Sequence, residues 1–377
     1  MHMTQADAAK RLIRRSDMVA EKVAFIDCKM PGSERKENYS LIGPGVTQSS
    51  NQVVNIREKH GFSLGVAAMP PGTVNNLHIH YTAEVFMVHK GEWEFRWTQG
   101  KTLSTVKAGP GTVVSMPTWI FRGFTNVGST DGWIFTALGG DDTGGIIWHP
   151  SIVEKAAEYG LYLTRENMMV DTSTGAAKPD GSQLMRTITD EEVAALKNYT
   201  PAEMASRIVT PAERTYSPRA LLDSCLPGHK SAMAPVIGYG MTEDVDAAAK
   251  IGNWHGFSVE WLKIEPGQSV SRHRLGEKQV AILYSGSAGF VLNEEGDVRV
   301  EAAEGECFSV PADVWRTVEA GSAGAEMMLI TAGDGRKRIT WPEQTLEAAR
   351  KAGWGIDHNG FIAPAALLPA AFRMAAE

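Results

Sequence analysis

The chain has 377 residues, 43% hydrophobic and 8% aromatic, with a formal net charge of −7. That length and composition suit a globular protein of two ordinary domains plus connecting segments, and the acidic balance argues against nucleic acid as a partner, because phosphate binding needs a basic face. Three widely spaced cysteines, Cys28, Cys225 and Cys307, give no disulfide framework, no apolar run approaches a membrane span, and the first residues show no secretory apolar core, so a cytoplasmic location is expected.

In chain order, residues 4–25 carry apolar positions at helical spacing and are expected to form a helix. Arg11, Arg14 and Arg15 are flanked there by Asp7, Asp17 and Glu21, which reads as one solvated face. Cys28 to Asn51 is rich in Gly, Pro and Ser and reads as loop with short strands. Residues 60–138 alternate short apolar runs with turn residues, the pattern of an all-β domain. Pro150-Ser151 opens a helix that Gly160 ends. Residues 188–222 read as a mostly helical connector broken at Pro201, Pro211 and Pro218. The chain beyond Pro342 reads as helix, Gly-rich turn and an Ala-rich last helix.

The chemistry concentrates between Gly72 and Gly91, which enclose His78, His80 and Glu84. Side chains alternate faces along a strand, so His78 and His80 share one face, about 7 Å apart along the backbone. Glu84 has the same parity. Two imidazoles and a carboxylate with open positions suit a catalytic divalent metal, non-haem Fe(II) included. Farther on, Gly111, Pro117, Trp119, Arg122 and Asn126 form a second spaced set. Arg122 has no lone pair to offer a metal.

These two sets resemble the motifs of the cupin superfamily, G-x5-H-x-H-x3-E-x6-G and G-x5-P-x-G-x2-H-x3-N. The first matches without a gap. In the second, Trp119 replaces the glycine and Arg122 the last histidine ligand. The resemblance implies a metal held by His78, His80 and Glu84. It also implies that Arg122 points into the barrel, where a buried guanidinium must pair with Glu84 or with an anionic group of a substrate. Arginine's fork suits a bidentate grip, so Arg122 is expected to clamp substrate.

The chain also repeats itself. His60-Gly-Phe-Ser63 recurs as His255-Gly-Phe-Ser258, 195 positions later, and Gly72, His78 and Gly91 align with Gly267, His273 and Gly286. In the second copy Leu275 replaces the second histidine, Gln279 the glutamate, and Arg316 again fills the last histidine slot. One imidazole and a neutral amide do not make a metal site. The expected architecture is therefore an all-β, jelly-roll-like double-stranded β-helix (cupin) barrel duplicated in tandem, with helical N-terminus, connector and C-terminus. The expected parts are an N-terminal helix and loop (1–39), a metal-binding barrel (40–147), a connector (148–234), a degenerate barrel (235–338) and C-terminal helices (339–377).

Other residues carry packing expectations. His60 and His255 survive in both copies and are assigned to strand-start packing, His89 faces away from the metal by parity, and His149 is a loop histidine. Trp93, Phe95 and Trp97 share a face and read as core. The resemblance implies a metal-dependent enzyme, with a dioxygenase of the gentisate- or quercetin-cleaving kind favoured. It would use one divalent ion per chain, Fe(II) ahead of Mn, Ni or Zn, on a small anionic or hydroxylated substrate. The alternatives are a metal-dependent isomerase, lyase or hydrolase, or a non-catalytic ligand-binding bicupin. A homodimer or higher oligomer is expected, with no nucleic-acid or membrane partner.

Overall fold

The structure, a computed structural model, describes residues 2–99, 102–252 and 254–369. The chain forms two compact units, one of Met18–Pro211 and one combining Met1–Asp17 with Ala212–Glu377. Each is built around antiparallel sheets that wrap a buried interior.

In the first unit the strands are β1 (Glu37–Ile42), β2 (Val54–Ile56), β3 (Phe62–Met69), β4 (Val74–His80), β5 (Glu84–Lys90), β6 (Trp93–Gln99), β7 (Thr102–Ala108), β8 (Val113–Met116), β9 (Arg122–Asn126), β10 (Gly132–Gly139) and β11 (Ile146–Trp148). One sheet runs β11-β4-β9-β6-β7. The other runs β8-β5-β10-β3-β1-β2, with Ile208–Val209 added beside β8. Alternation decides which side chains fill the barrel. Phe86 and Val88 share the parity of Glu84, and they pack with Trp93, Phe95, Trp97 and Phe124 in one apolar cluster. The three aromatics of β6 are core, as their spacing predicts. Gly91 closes the β5–β6 hairpin at φ +88°, and a Cβ there would lie 2.8 Å from the Gly132 Cα, so backbone conformation and close approach both demand glycine.

The second unit repeats the plan with β12 (Ser231–Ile237), β13 (Phe257–Ile264), β14 (Ser269–His273), β15 (Gln279–Leu292), β16 (Val298–Ala303), β17 (Cys307–Val310) and β18 (Arg316–Ala332). β15 pairs along its length with β18, and Gly286 at φ +74° sits where Gly91 sits in the first unit.

Three helical expectations are corrected. The N-terminal helix is only α1, Gln5–Arg11, capped by the Thr4 side chain. It stops because Leu12–Ile13 leaves the helix to pair as a short strand with Cys307–Phe308, burying both apolar side chains. After the helix α2 (Pro150–Glu158), the connector holds α3 (Asp190–Ala195) and α4 (Pro201–Ala205), of six and five residues. Capping boxes at Thr189 and Thr200 start these two helices, but the intervening chain finds its partners elsewhere, Ile208–Val209 on β8. The chain end has α5 (Glu343–Lys351) followed by a hairpin, Trp354–Ile356 with Ile362–Pro364. The described part of the expected Ala-rich last helix is a 3₁₀ turn at Ala365–Leu367, and the rest of that expectation lies outside the described residues.

Candidate metal centre in the first barrel

Strand register builds the site. β4 lies between β11 and β9, so His78 is flanked by Trp148 on one side and Arg122 on the other. β5 brings Glu84 in from the opposite sheet, between Met116 and Leu138. His78 and His80 do share a face, with ring centroids 4.8 Å apart. Their ring nitrogens and a Glu84 carboxylate oxygen lie within 4.8 Å of one another, and all three side chains are buried. His80 Nε2 is 3.5 Å from Glu84 Oε1, and Arg122 Nε is 3.5 Å from Glu84 Oε2.

The electrostatics favour a neutral imidazole and a charged carboxylate. Burial, reinforced by His80, holds His78 well below its ordinary value. Burial alone would push Glu84 up, but His80, Arg122 and His78 outweigh it and hold the carboxyl at about 2. Burial lowers Arg122 to about 10, still charged at neutral pH. His78 Nδ1 lies 2.6 Å from the Asn76 carbonyl, a contact that requires the proton on Nδ1 and leaves the Nε2 lone pair for a ligand.

The donor set fits a divalent metal. It consists of one imidazole of fixed tautomer, a second imidazole and an ionised carboxylate. Buried atoms here also lack hydrogen-bond partners: His80 Nδ1, Glu84 Oε2, and Arg122 Nε and Nη1. Glu84 Oε2 and Arg122 Nε face one another as an ion pair at 3.5 Å, which leaves His80 Nδ1 and Arg122 Nη1 without a partner. An exposed group of His2, Glu295 and Asp297 has compatible donors but no burial to enforce them.

Above the three donors lies a cavity of about 60 Å³, partly open to solvent. Phe25, Met69, Phe124, Leu138, Ile146 and Trp148 give it apolar walls, and Lys36, Asn75 and Thr136 add polar groups. Arg122 does not line it. The guanidinium is fully buried, bonded through Nη2 to the Pro117 carbonyl, and set against Glu84. The substrate-clamp role expected for Arg122 does not fit this placement. The reason is that Glu84 occupies the approach to it. Trp119, in place of the motif glycine, keeps the left-handed conformation that glycine would have adopted, at φ +57°, and its half-exposed ring packs edge-on against Tyr81.

The sequence reading missed the segment that closes one wall of this cavity. Asp27 accepts hydrogen bonds from the Asn76 backbone and side chain, and its other oxygen takes the Lys36 ammonium at 2.5 Å. Lys36 also donates to Asn75 Oδ1. Gln48 Oε1 accepts from the Ile26 backbone and from the Trp148 indole, and Trp148 packs on His78 with ring centroids 5.3 Å apart. A signal was present. Ile26-Asp27 with Pro31-Gly32 recurs as Leu222-Asp223 with Pro227-Gly228, and the bonding recurs with it. Asp223 accepts from the Ser271 backbone, Glu243 accepts from Leu222 and from Trp341, and Trp341 packs on His273 at 5.6 Å.

The remaining histidines fall outside the site. His60 and His255 are buried at equivalent strand starts, with backbone N–H groups bonded to Asp141 and Asp334. His89 packs against Phe135, and His149 caps α2 through Ser151.

Among known proteins, a family profile described as the cupin domain matches residues 65–136, which includes the whole first motif. No curated protein sequence matches the chain. Solved structures similar to it include Lactobacillus farciminis oxalate decarboxylase in a formate complex, 10% identical with TM-score 0.54, covering 90% of this chain and 95% of that one. Vicilin from Capsicum annuum is 12% identical with TM-score 0.53, covering 88% of each chain. Bacillus subtilis oxalate decarboxylase is 14% identical with TM-score 0.52, covering 90% of this chain and 82% of that one. The chain has the two-barrel cupin fold. The stretch that matches the cupin-domain profile lies in the first barrel, which carries the buried His-His-Glu set. No helix among the described residues is long and apolar enough to cross a membrane.

Proposed function

We propose that this bicupin is a metal-dependent enzyme of the non-haem oxidoreductase kind, with its single active centre at His78, His80 and Glu84 in the first barrel. The observation that carries this reading is the asymmetry between the barrels. Three buried donors converge under a cavity in the first, while Leu275 and Gln279 replace two of them in the second. The bound metal would supply Lewis acidity and, if it is iron, a place for dioxygen beside the substrate.

The chain's own residues do the rest. His78, pinned through Nδ1, and His80 present imidazoles from one strand. Arg122 is a positioning residue that keeps Glu84 ionised and fixes its carboxylate. Trp148, held by Gln48, braces the His78 ring. Phe25, Phe124 and Trp148 exclude water and suit the apolar body of a small organic substrate. Lys36 and Asn75, bonded to one another and with Lys36 paired to Asp27, give the wall a polar patch for a hydroxylated substituent.

The test is oxygen uptake by the metal-loaded protein with a panel of hydroxylated aromatic and small carboxylate compounds, set against His80→Ala. Iron content with uptake that the variant loses supports the proposal. Zinc or manganese with turnover but no uptake replaces it with a metal-dependent isomerase, lyase or hydrolase. A chain that binds no metal is a ligand-binding bicupin of the non-catalytic kind.

A further inference from the structure

The second unit has a small buried cavity at the positions where the first has its metal donors. Leu262, Val270, Phe290 and Met327 are among its apolar walls, and His273, Gln279 and Arg316 are its strongly polar groups. Every residue that lines it is at most 5% exposed. Its volume is only about 10 Å³, so a single ion or a group of about that size is the most it can take.

Arg316 is the anomaly. A guanidinium offers five N–H donors, yet its hydrogen bonds are two long ones, Nη1 to the Val314 carbonyl and Nη2 to Gln279 Oε1, both 3.3 Å. No carboxylate oxygen of the described residues lies within 4.0 Å of it. Glu277 acts on it only at a distance and makes no ion pair with it. Burying a charge is costly unless a counter-charge accompanies it.

The first barrel shows what is missing. There the arginine in this slot faces Glu84, which supplies the charge and shields it from the cavity. Here Gln279 is neutral and tied back, its Nε2 donating to Thr331 Oγ1 at 2.9 Å and lying 3.3 Å from Met241 Sδ. That leaves Arg316 on the cavity wall, where Arg122 is not. His273 donates Nδ1–H to the Ser271 carbonyl, and burial keeps the ring neutral, so it adds no competing positive charge.

We propose that the degenerate barrel is a binding site for a single halide ion, held by Arg316. The anion replaces the charge lost with the Glu-to-Gln difference between the barrels. The apolar walls exclude hydrated or divalent anions and accept a soft halide.

Two measurements test this on the full chain. In crystals grown with sodium bromide, an anomalous peak is expected within hydrogen-bond distance of the Arg316 guanidinium. In solution, sodium bromide titrated at constant ionic strength should raise the unfolding midpoint of the second unit by about 2–4 °C. Arg316→Met, which removes the charge and keeps much of the volume, should abolish that rise, and Arg122→Met should keep it. Should Arg316→Met fail to fold, the wild-type bromide map decides alone. Absence of a peak at Arg316, an equal bromide shift in Arg316→Met, or a crystal structure with the Glu277 carboxylate seated on the guanidinium would each overturn the proposal.

Discussion

Removing the Glu84 charge while keeping its shape isolates the electrostatics of the centre. In metal-free protein, Glu84→Gln leaves Arg122 fully buried and facing a neutral amide. Two routes give the cost. The gap between an ordinary 4.5 and about 2 corresponds to about 3 kcal/mol of preference for the charged carboxylate, at ~1.4 kcal/mol per pH unit. Breaking a buried ion pair by deleting one partner costs about 3–5 kcal/mol. The lower end applies, because the same chain already tolerates the exchange. In the second barrel the Gln279 carbonyl faces Arg316 at 3.3 Å. Denaturant unfolding of the first unit in a chelating buffer at neutral pH should therefore show a loss of about 3 kcal/mol for Glu84→Gln. The double variant Glu84→Gln/Arg122→Met should recover roughly half or more of that, since it leaves no unpaired charge. A single-variant loss under about 1 kcal/mol, or a double variant no more stable than the single, would refute the claim that these two groups neutralise one another.

Arg122→Lys should weaken metal binding by about 10–100-fold, the effect of losing an outer partner of a ligand, with a smaller change in KM of the loaded protein. An intact metal affinity with a much raised KM would return Arg122 to the role of substrate clamp. In the second unit, burial raises Glu243 to about 8 and Glu260 to about 7. Their folded forms hold protons that the unfolded chain releases near 4.5, so they stabilise at low pH. Stability should fall as pH rises from about 5 to about 8. Glu243→Gln should flatten that slope and still fold, because Gln48 already performs the same two hydrogen bonds in the first unit. A slope unchanged in Glu243→Gln would show that Glu243 is not the group responsible.

The barrels were legible in the sequence because strand alternation and turn glycines are local signals. His78, His80 and Glu84 declare their shared face by parity, and Gly91 and Gly286 mark the same hairpin in both copies. The duplication was readable for the same reason. The strand pairing of Leu12–Ile13 was not, because two apolar residues after a helical turn look the same whether they continue the helix or meet Cys307–Phe308 across a long stretch of chain. The place of Arg122 was half legible. Its slot said that it points inward, but only the structure shows it set against the Glu84 carboxylate, with Glu84 and not Arg122 lining the cavity. The closing segment escaped because Asp27, Lys36 and Gln48 act through contacts with distant strands, and its repeat is only a few residues long.

The most direct test of the account is metal content per chain, measured by elemental analysis after exhaustive dialysis, for the wild type and for His78→Ala, Glu84→Ala and His273→Ala. The account predicts about one equivalent of a divalent transition metal in the wild type and in His273→Ala, and a large loss in the other two. Two equivalents in the wild type, or a full equivalent retained by Glu84→Ala, would contradict a single centre in the first barrel.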